Sequence, residues 1–216
     1  MKCPYCQSKG IKKGMRNHIQ RYHCPSCNHH FQASYQKLRI GPEQYTQVAK
    51  LNNEGCGISS IGRLLRISKS SVQRMLLKIA GNMEVRHSQG ENESYEIDEL
   101  RTFCGNKKKE CWLIYAINRK SRQVIDFFVG RRTKENVNRV VSSVLQLNPK
   151  YIYSDGLNLY KSLIPVSLHK IYEHFTNHIE RCNLTLRTHL KRLGRKSLCY
   201  SKSEKMLWSC ARIYFG

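Results

Sequence analysis

The stretch Tyr95-Glu96-Ile97-Asp98-Glu99-Leu100 decides the fold, because its alternating pattern predicts a strand that carries acidic side chains. A second strand-like run, Tyr151-Ile152-Tyr153-Ser154-Asp155, ends in another aspartate, and the helical-looking stretch 176–181 contains Glu180. The chain has three aspartates, so their occurrence at two such positions is informative. Two strand carboxylates and one helix carboxylate are the minimal oxygen ligands for two Mg²⁺ ions.

The order of elements around these carboxylates predicts a mixed sheet. Three consecutive strands are expected at residues 95–100, 111–118 and 123–129. A helix over 134–147, stopped by Pro149, leads to a fourth strand that ends at Asp155. A short helix at 156–163, a fifth strand at 168–172 and a long basic helix from about Thr176 complete the pattern. We predict an α/β (α+β) domain of ribonuclease H type over residues 95–216, with helices flanking the sheet.

The charge of the chain indicates a polyanionic partner. A formal charge of +23, from 38 Lys and Arg against 15 Asp and Glu, favours binding to nucleic acid by counterion release. The longest uninterrupted apolar run, residues 112–117, is too short to cross a bilayer. The N-terminus carries no apolar signal segment. We therefore expect a cytoplasmic, nucleoid-associated protein that binds double-stranded DNA and not a membrane.

Two cysteine pairs lie in the segment 1–40, which precedes the first acidic residue, Glu43. The motifs Cys3-Pro4-Tyr5-Cys6 and Cys24-Pro25-Ser26-Cys27 are separated by 17 residues, a spacing typical of a four-thiolate zinc site. A zinc ion would supply folding energy that so short a segment cannot obtain from burial. The alternatives are a pair of disulfides or an iron site. We predict that 1–40 is a zinc-binding module that contacts DNA.

Helical periodicity follows over residues 41–82 and predicts a helix-turn-helix unit of three short helices. Ser68 or Ser70 is expected to cap the third helix. Its exposed face would enter a major groove and would consist of Lys69, Ser71, Gln73 and Arg74. The alternative is an ordinary helical hairpin without a DNA-binding role. Residues 83–94 have the composition of a linker to the sheet domain.

The helix that carries Glu180 predicts a second DNA-contacting face. Asn183, Arg187 and Lys191 follow Glu180 at helical spacing, and residues 181–203 contain no acid. The alternative is a solvated basic face. The predicted DNA-contacting side chains around this carboxylate are His178, Arg181, Asn183, Arg187 and Lys191.

The three carboxylates have different predicted roles. Asp98 would bridge both metal ions, Asp155 would hold one and Glu180 the other. The neighbouring acids Glu96, Glu99 and Asp126 are interpreted as solvated or ion-paired carboxylates.

Several motifs resemble the insertion sequence one family of transposases. They are Ile97-Asp98-Glu99-Leu100, Tyr153-Ser154-Asp155-Gly156, the block from Thr176 to Asn183, and Leu193-Gly194-Arg195-Lys196-Ser197-Leu198. The 24 residues between Asp155 and Glu180 match the short interval of that group. Arg101 departs from the family, whose members often have Trp at this position.

The resemblance implies a zinc finger, a helix-turn-helix and a DDE catalytic domain, with Asp98, Asp155 and Glu180 as the triad. It also implies that two Mg²⁺ or Mn²⁺ ions act in strand cleavage and strand transfer. The expected substrates are the terminal inverted repeats of an element and a target DNA, bound by a homo-oligomer. Two other functions remain open: a DNA-binding regulator whose C-terminal domain is catalytically inactive, and a ribonuclease H-like nuclease.

Overall fold

A computed structural model describes residues 1–35, 40–83, 92–171, 176–194 and 199–216. The chain forms two compact units, Met1–Ile40 and Gly41–Gly216. The predicted linker at 83–94 falls mainly on residues 84–91, which lie outside the described residues. The other predicted module boundaries, at residues 82 and 95, lie inside the second unit and stay predictions.

The first unit contains a small antiparallel sheet that the sequence did not predict. Its strands are β1 (Ile11–Arg16), β2 (Ile19–His23) and β3 (His30–Gln32), in the order β1-β2-β3. All six side chains of β1 are exposed, so the strand has no apolar face that could be recognised in the sequence. Phe31 is buried against Cys3 and Cys24. This core is very small, and the cysteines are part of it.

The second unit begins with the three helices that the periodicity predicted. They are α1 (Pro42–Asn53), α2 (Ile58–Leu64) and α3 (Lys69–Asn82). Ser68, one of the two expected capping residues, accepts a hydrogen bond at its Oγ from the Ser71 backbone N–H over 3.0 Å. The turn between α2 and α3 is tight, because a Cβ on Gly62 would lie 2.9 Å from the Ile67 carbonyl oxygen.

The remaining elements alternate between strands and helices. They are β4 (Ser94–Phe103), β5 (Glu110–Asn118), β6 (Val124–Gly130), α4 (Lys134–Leu145), β7 (Tyr151–Tyr153), α5 (Asn158–Lys161), β8 (His169–Lys170), α6 (Asn177–His189), a 3-10 turn (Lys191–Leu193) and α7 (Glu204–Phe215). The sheet order is β6-β5-β4-β7-β8. Strand β5 is antiparallel to β4 and to β6, whereas β7 is parallel to β4 and to β8. This order confirms the predicted mixed sheet of ribonuclease H type.

Both faces of the sheet are covered, so its central strands are apolar on both sides. On one face, Ile97 and Ile114 pack against the valines of α4, including Val141. On the other face, Leu113 and Tyr115 pack against α6 and α7. No helix within the described ranges is both long enough and apolar enough to cross a membrane.

Several element ends differ from the prediction. Strand β4 extends to Phe103, so Asp98 lies in the middle of the strand, whereas β7 ends at Tyr153, two residues before Asp155. Helix α6 ends at His189, so Lys191 does not share the helical face of Glu180. The predicted fifth strand is reduced to β8, and its last predicted residue, Tyr172, lies outside the described residues.

The three N-terminal helices of the second unit pack on its last helix. Helix α7 contacts α3 and α1 on one side and β6 on another. The buried Asn52 side chain donates to the Cys210 carbonyl oxygen over 3.1 Å. Gly55, which has a φ of +75°, lies so close to the end of α6 that a Cβ would be 2.1 Å from the His189 carbonyl oxygen. The helices and the sheet therefore share one core.

A buried carboxylate attaches α6 to the sheet. The Glu96 side chain is fully buried and accepts hydrogen bonds from the Ile179 backbone N–H at 2.8 Å and from His178 Nδ1 at 2.6 Å. Arg119 Nε lies 3.1 Å from the same carboxylate. A negative charge at the N-terminus of a helix is also stabilised by the helix dipole. Strand β4 is thus joined to the first turn of α6.

We expect Glu96→Gln to lower the free energy of unfolding by about 3 kcal/mol, because glutamine offers one acceptor oxygen where three donors converge. Urea denaturation measures this loss. Glu135→Gln, an exposed substitution in the first turn of α4, is the matched control and should change stability by about 0.5 kcal/mol or less. Equal losses of unfolding free energy in the two variants would contradict the role of Glu96 in attaching α6 to β4.

Candidate active site and metal centres

Asp98 and Asp155 are brought together by the parallel pairing of β4 with β7. Glu96 is the register partner of Tyr153, so the two aspartates, each two residues further on, reach the same level of the sheet. Oxygen atoms of Asp98, Glu99 and Asp155 lie within 4.8 Å of one another. We call these three side chains the carboxylate cluster. Such hard oxygen ligands at this separation fit Mg²⁺ or Mn²⁺.

Asp98 is held in a defined orientation. Its Oδ1 accepts from the Glu99 backbone N–H at 2.7 Å, and its Oδ2 accepts from Asn183 Nδ2 at 2.5 Å. Burial raises the pKa of Asp98 to about 6, and the charges of Asp155 and Glu180 act in the same direction. A bound divalent cation would offset both effects and favour the ionised carboxylate.

Glu99 was interpreted from the sequence as a solvated or ion-paired acid, but the structure places it in the carboxylate cluster. Burial raises its pKa to about 7, and the charges of Asp155 and Asp98 add to this shift. Sequence reasoning missed it because adjacent strand residues point to opposite faces of a sheet. In the structure, carboxylate oxygens of both Asp98 and Glu99 lie near that of Asp155, which follows the end of β7.

Asp155 lies in a turn that follows β7. The side chain is exposed, and its Oδ1 accepts from the Leu157 backbone N–H at 3.1 Å. Gly156 has a φ of +80°, a conformation that glycine adopts without strain. A Cβ at this glycine would lie 2.7 Å from Ile171 Cγ2, so the turn is also closely packed.

Glu180 lies near the carboxylate cluster without being part of it. It is exposed in the first turn of α6, and its Oε1 accepts from Thr176 Oγ1 at 2.9 Å. Asn183, three residues further along α6, donates to Asp98, so Glu180 lies one helical turn from a residue that contacts the carboxylate cluster. Of the three predicted carboxylates, the structure groups two within 4.8 Å, and the third lies on the helix whose Asn183 contacts Asp98.

Three of the side chains around Glu180 that were predicted to contact DNA have partners within the protein. His178 binds Glu96. Asn183 donates to Asp98 and accepts from the Tyr115 hydroxyl at 2.8 Å. Arg187 donates to the Leu193 carbonyl oxygen at 2.6 Å. Arg181 and Lys191 are exposed. DNA contact by this set stays a prediction, and exposure favours Arg181 and Lys191 for it.

Helix α3 presents its predicted contact residues at the surface, except for the half-buried Ser71. Lys69 and Gln73 line a groove of about 570 Å³ together with the α1–α2 loop and described parts of the segment 190–203. The exposed Arg74 directs its Nε toward the Ser70 carbonyl oxygen at 3.4 Å. The N-terminal half of α3 is therefore accessible to a partner.

The four predicted cysteine ligands converge in the first unit. Sulfur atoms of Cys3, Cys6, Cys24 and Cys27 lie within 4.8 Å of one another. The Cys3–Cys27 and Cys6–Cys24 sulfur distances, 3.6 Å and 3.4 Å, exceed the roughly 2.05 Å of a disulfide bond. A hydrogen bond from the Ser8 backbone lowers the pKa of Cys6 to about 6. Four sulfur ligands in this arrangement are compatible with a tetrahedral zinc site.

Comparison with known proteins identifies the family of the chain. The family model for the IS1 transposase matches residues 94–210, more than half of the sequence. The InsB protein of insertion element IS1 4 from Escherichia coli K12 is 40% identical over 111 residues, which cover 51% of this chain and 66% of that protein. InsB of Shigella flexneri is also 40% identical over 111 residues, 51% of this chain and 85% of its own length.

One solved structure shows a weaker likeness. A chain of the simian T-cell lymphotropic virus intasome in complex with PP2A regulatory subunit B56 gamma is 16% identical, with a TM-score of 0.38. The alignment covers 76% of this chain and 66% of that one, a likeness too weak to define a fold. The match of the family model over the sheet and α6, supported by the InsB relatives, shows that the chain belongs to the IS1 transposase family.

Proposed function

We propose that the protein is a DNA transposase that cuts one strand at the ends of an insertion element and joins the freed 3′-hydroxyl to target DNA. The observation that carries this proposal is the convergence of Asp98 and Asp155, with Glu180 beside them, in a member of the IS1 transposase family. This is a polynucleotidyl transferase reaction of the DDE type.

Asp98, Asp155 and Glu180 would hold two Mg²⁺ or Mn²⁺ ions. When bound, such ions activate an oxygen nucleophile and stabilise the leaving oxygen of a phosphodiester. The protein contributes fixed ligands: Asn183 orients Asp98, the Leu157 N–H orients Asp155, and Thr176 orients Glu180. Preorganised ligands of this kind lower the cost of reaching the transition state.

DNA recognition is assigned to the first unit and to α3. The charge of +23 supplies affinity for the phosphate backbone, and the exposed Lys69, Gln73 and Arg74 supply side chains for base contacts. The expected ligands are the terminal inverted repeats of the element. Two element ends require two active sites, so we propose a homo-oligomer in the DNA complex, located in the cytoplasm on the nucleoid.

The first unit is proposed to bind one structural zinc ion through Cys3, Cys6, Cys24 and Cys27. The close sulfur atoms and the very small core support this proposal. A structural zinc ion contributes folding free energy directly to modules of this size.

A second candidate function is a DNA-binding regulator with an inactive C-terminal domain. The position of Glu180 outside the carboxylate cluster favours it. Such a protein would bind the same DNA with a steep salt dependence and yield no cleaved product.

In an assay with element-end DNA and Mg²⁺ or Mn²⁺, we expect the wild-type protein to nick the DNA. Asp155→Asn should lower the rate at least about 100-fold, because a neutral amide is a weak metal ligand, while DNA binding is retained. Asp126→Asn is the matched control, since Asp126 lies on β6 and accepts from Ser143 Oγ at 2.6 Å. Undiminished cleavage by Asp155→Asn would contradict the transposase proposal. Binding without cleavage by the wild type would favour the regulator.

We expect about one zinc ion per chain after purification, measured by elemental analysis. Replacing Cys24 and Cys27 together by serine should abolish zinc binding and unfold the first unit, because two of four ligands are lost. The double substitution of Cys56 and Cys199, which lie in the second unit, should leave zinc content unchanged. Retention of zinc by the Cys24 and Cys27 variant would refute the assignment.

For the recognition helix, we expect Arg74→Ala to lower affinity for element ends about tenfold while nonspecific binding changes little. Lys78→Ala, one turn further along α3, removes the same charge and serves as control. Fluorescence anisotropy with specific and unrelated duplexes measures both effects. Equal losses on both duplexes for the two variants would show that α3 acts through charge alone.

A further inference from the structure

Glu99 has features that its interpretation as a solvated or ion-paired acid does not explain. Its carboxylate lies with those of Asp98 and Asp155 within 4.8 Å, so three acidic groups crowd one point. Like charges at this distance destabilise the folded protein unless a cation or protons offset them. A role in the packing of β4 alone does not explain why the Glu99 carboxylate lies beside two other acidic groups.

Two buried polar atoms beside the carboxylate cluster lack hydrogen bonds. Among the described residues, Glu99 Oε1 and the Tyr160 hydroxyl are both inaccessible to solvent and neither makes a hydrogen bond of normal geometry. Tyr160 is fully buried at the end of α5, and its hydroxyl faces Glu99. Buried polar atoms in native proteins nearly always have partners. A carboxylate that is grouped with two others, and that has an oxygen without a hydrogen bond, is an arrangement that a cation completes.

Arg132 is the basic side chain whose charge acts on Glu99, but it does not bind the unpartnered oxygen of that carboxylate. Arg132 lowers the pKa of Glu99 through its charge, but its guanidinium lies over the Trp112 ring at 4.2 Å from the centroid. This stacking holds the guanidinium on the aromatic ring. Arg132 makes no hydrogen bond to Glu99 Oε1.

We propose that Glu99 is a fourth carboxylate of the metal site, which binds a divalent cation together with Asp98 and Asp155. This inference rests on the proposed function, because it assigns an additional ligand to the same ions. Glu180, outside the carboxylate cluster, is then left to a second ion shared with Asp98.

The test is Mn²⁺ binding to the full-length protein without DNA, measured by calorimetry and by the rise in Tm that Mn²⁺ produces. Glu99→Gln should bind Mn²⁺ at least about tenfold more weakly and show a smaller rise in Tm. In EDTA the same variant should have a Tm equal to or above that of the wild type, because one of three crowded charges is gone. Asp126→Asn should match the wild type in both measurements.

The change in Mn²⁺ affinity and the change in Tm in EDTA together distinguish a metal ligand from a residue with only a structural role. If Glu99 served packing alone, Glu99→Gln would lower the Tm in EDTA and leave the Mn²⁺ affinity unchanged, and this result would overturn the proposal. If Glu99→Gln fails to fold, Glu99→Asp withdraws the oxygen by about 1.5 Å and keeps the charge. Weaker Mn²⁺ binding by that variant supports the proposal, and unchanged binding overturns it.

The result is distinguishable from a failure of the proposed function. Cleavage by the wild type together with full Mn²⁺ affinity in Glu99→Gln would remove Glu99 from the site and leave the transposase intact. Weakened Mn²⁺ binding in Glu99→Gln without any cleavage by the wild type would keep the metal site and refute the activity. If the wild type bound no Mn²⁺, the role of Glu99 would be refuted.

Discussion

The buried carboxylate of Glu96 fixes the relation between the two elements on which the site depends. Strand β4 carries Asp98 two residues after Glu96, and α6 carries Glu180 one residue after Ile179, whose N–H binds Glu96. A charged acceptor without solvent is costly unless donors surround it, so the folded state needs all three partners in place. Because the strand and the helix meet at this point, the separation of Asp98 and Glu180 is determined by the core and not by a surface loop.

A second set of hydrogen bonds connects the core to the carboxylate cluster. The Tyr115 hydroxyl on β5 donates to Asn183, and Asn183 donates to Asp98. These bonds connect β5, α6 and β4, and the last member is a carboxylate with a raised pKa. The site therefore combines rigid support with unfavourable electrostatics, a combination typical of functional sites in which stability is reduced in favour of chemistry.

Much of the fold was predictable, because strand and helix periodicities are local and the apolar pattern is strong. The helices at 41–82, the three antiparallel strands and the crossover to β7 all follow from such patterns. The strands of the first unit did not, because β1 is exposed along its whole length and β2 is half-buried throughout, so neither strand alternates between buried and exposed residues. The spacing of the two cysteine pairs predicted that the four sulfur atoms lie together. The positions of Asp98 and Asp155 in two predicted strands predicted that their carboxylates lie together, and the register of β4 with β7 brings them to the same level of the sheet.

The internal roles of Asn183 and Arg187 could not be predicted. Their positions on a basic helix indicated contact with DNA, whereas the structure joins them to Asp98 and to the Leu193 carbonyl oxygen. Such partners are remote in the sequence or depend on where a helix ends. The position of Glu99 in the carboxylate cluster also could not be predicted, because the alternation of side chains along a strand assigns Glu99 to the face opposite Asp98.

Helix α7 restricts how α1 and α3 can change in evolution. It contacts α1 and α3 as well as β6, and its Cys210 carbonyl oxygen accepts a hydrogen bond from the buried Asn52 side-chain amide. An exchange of α1 and α3 between related proteins would remove the side chains that cover α7 and the amide that binds its Cys210 carbonyl oxygen. These helices are therefore expected to change by surface substitutions, whereas grafted helices would need a compensating change in α7.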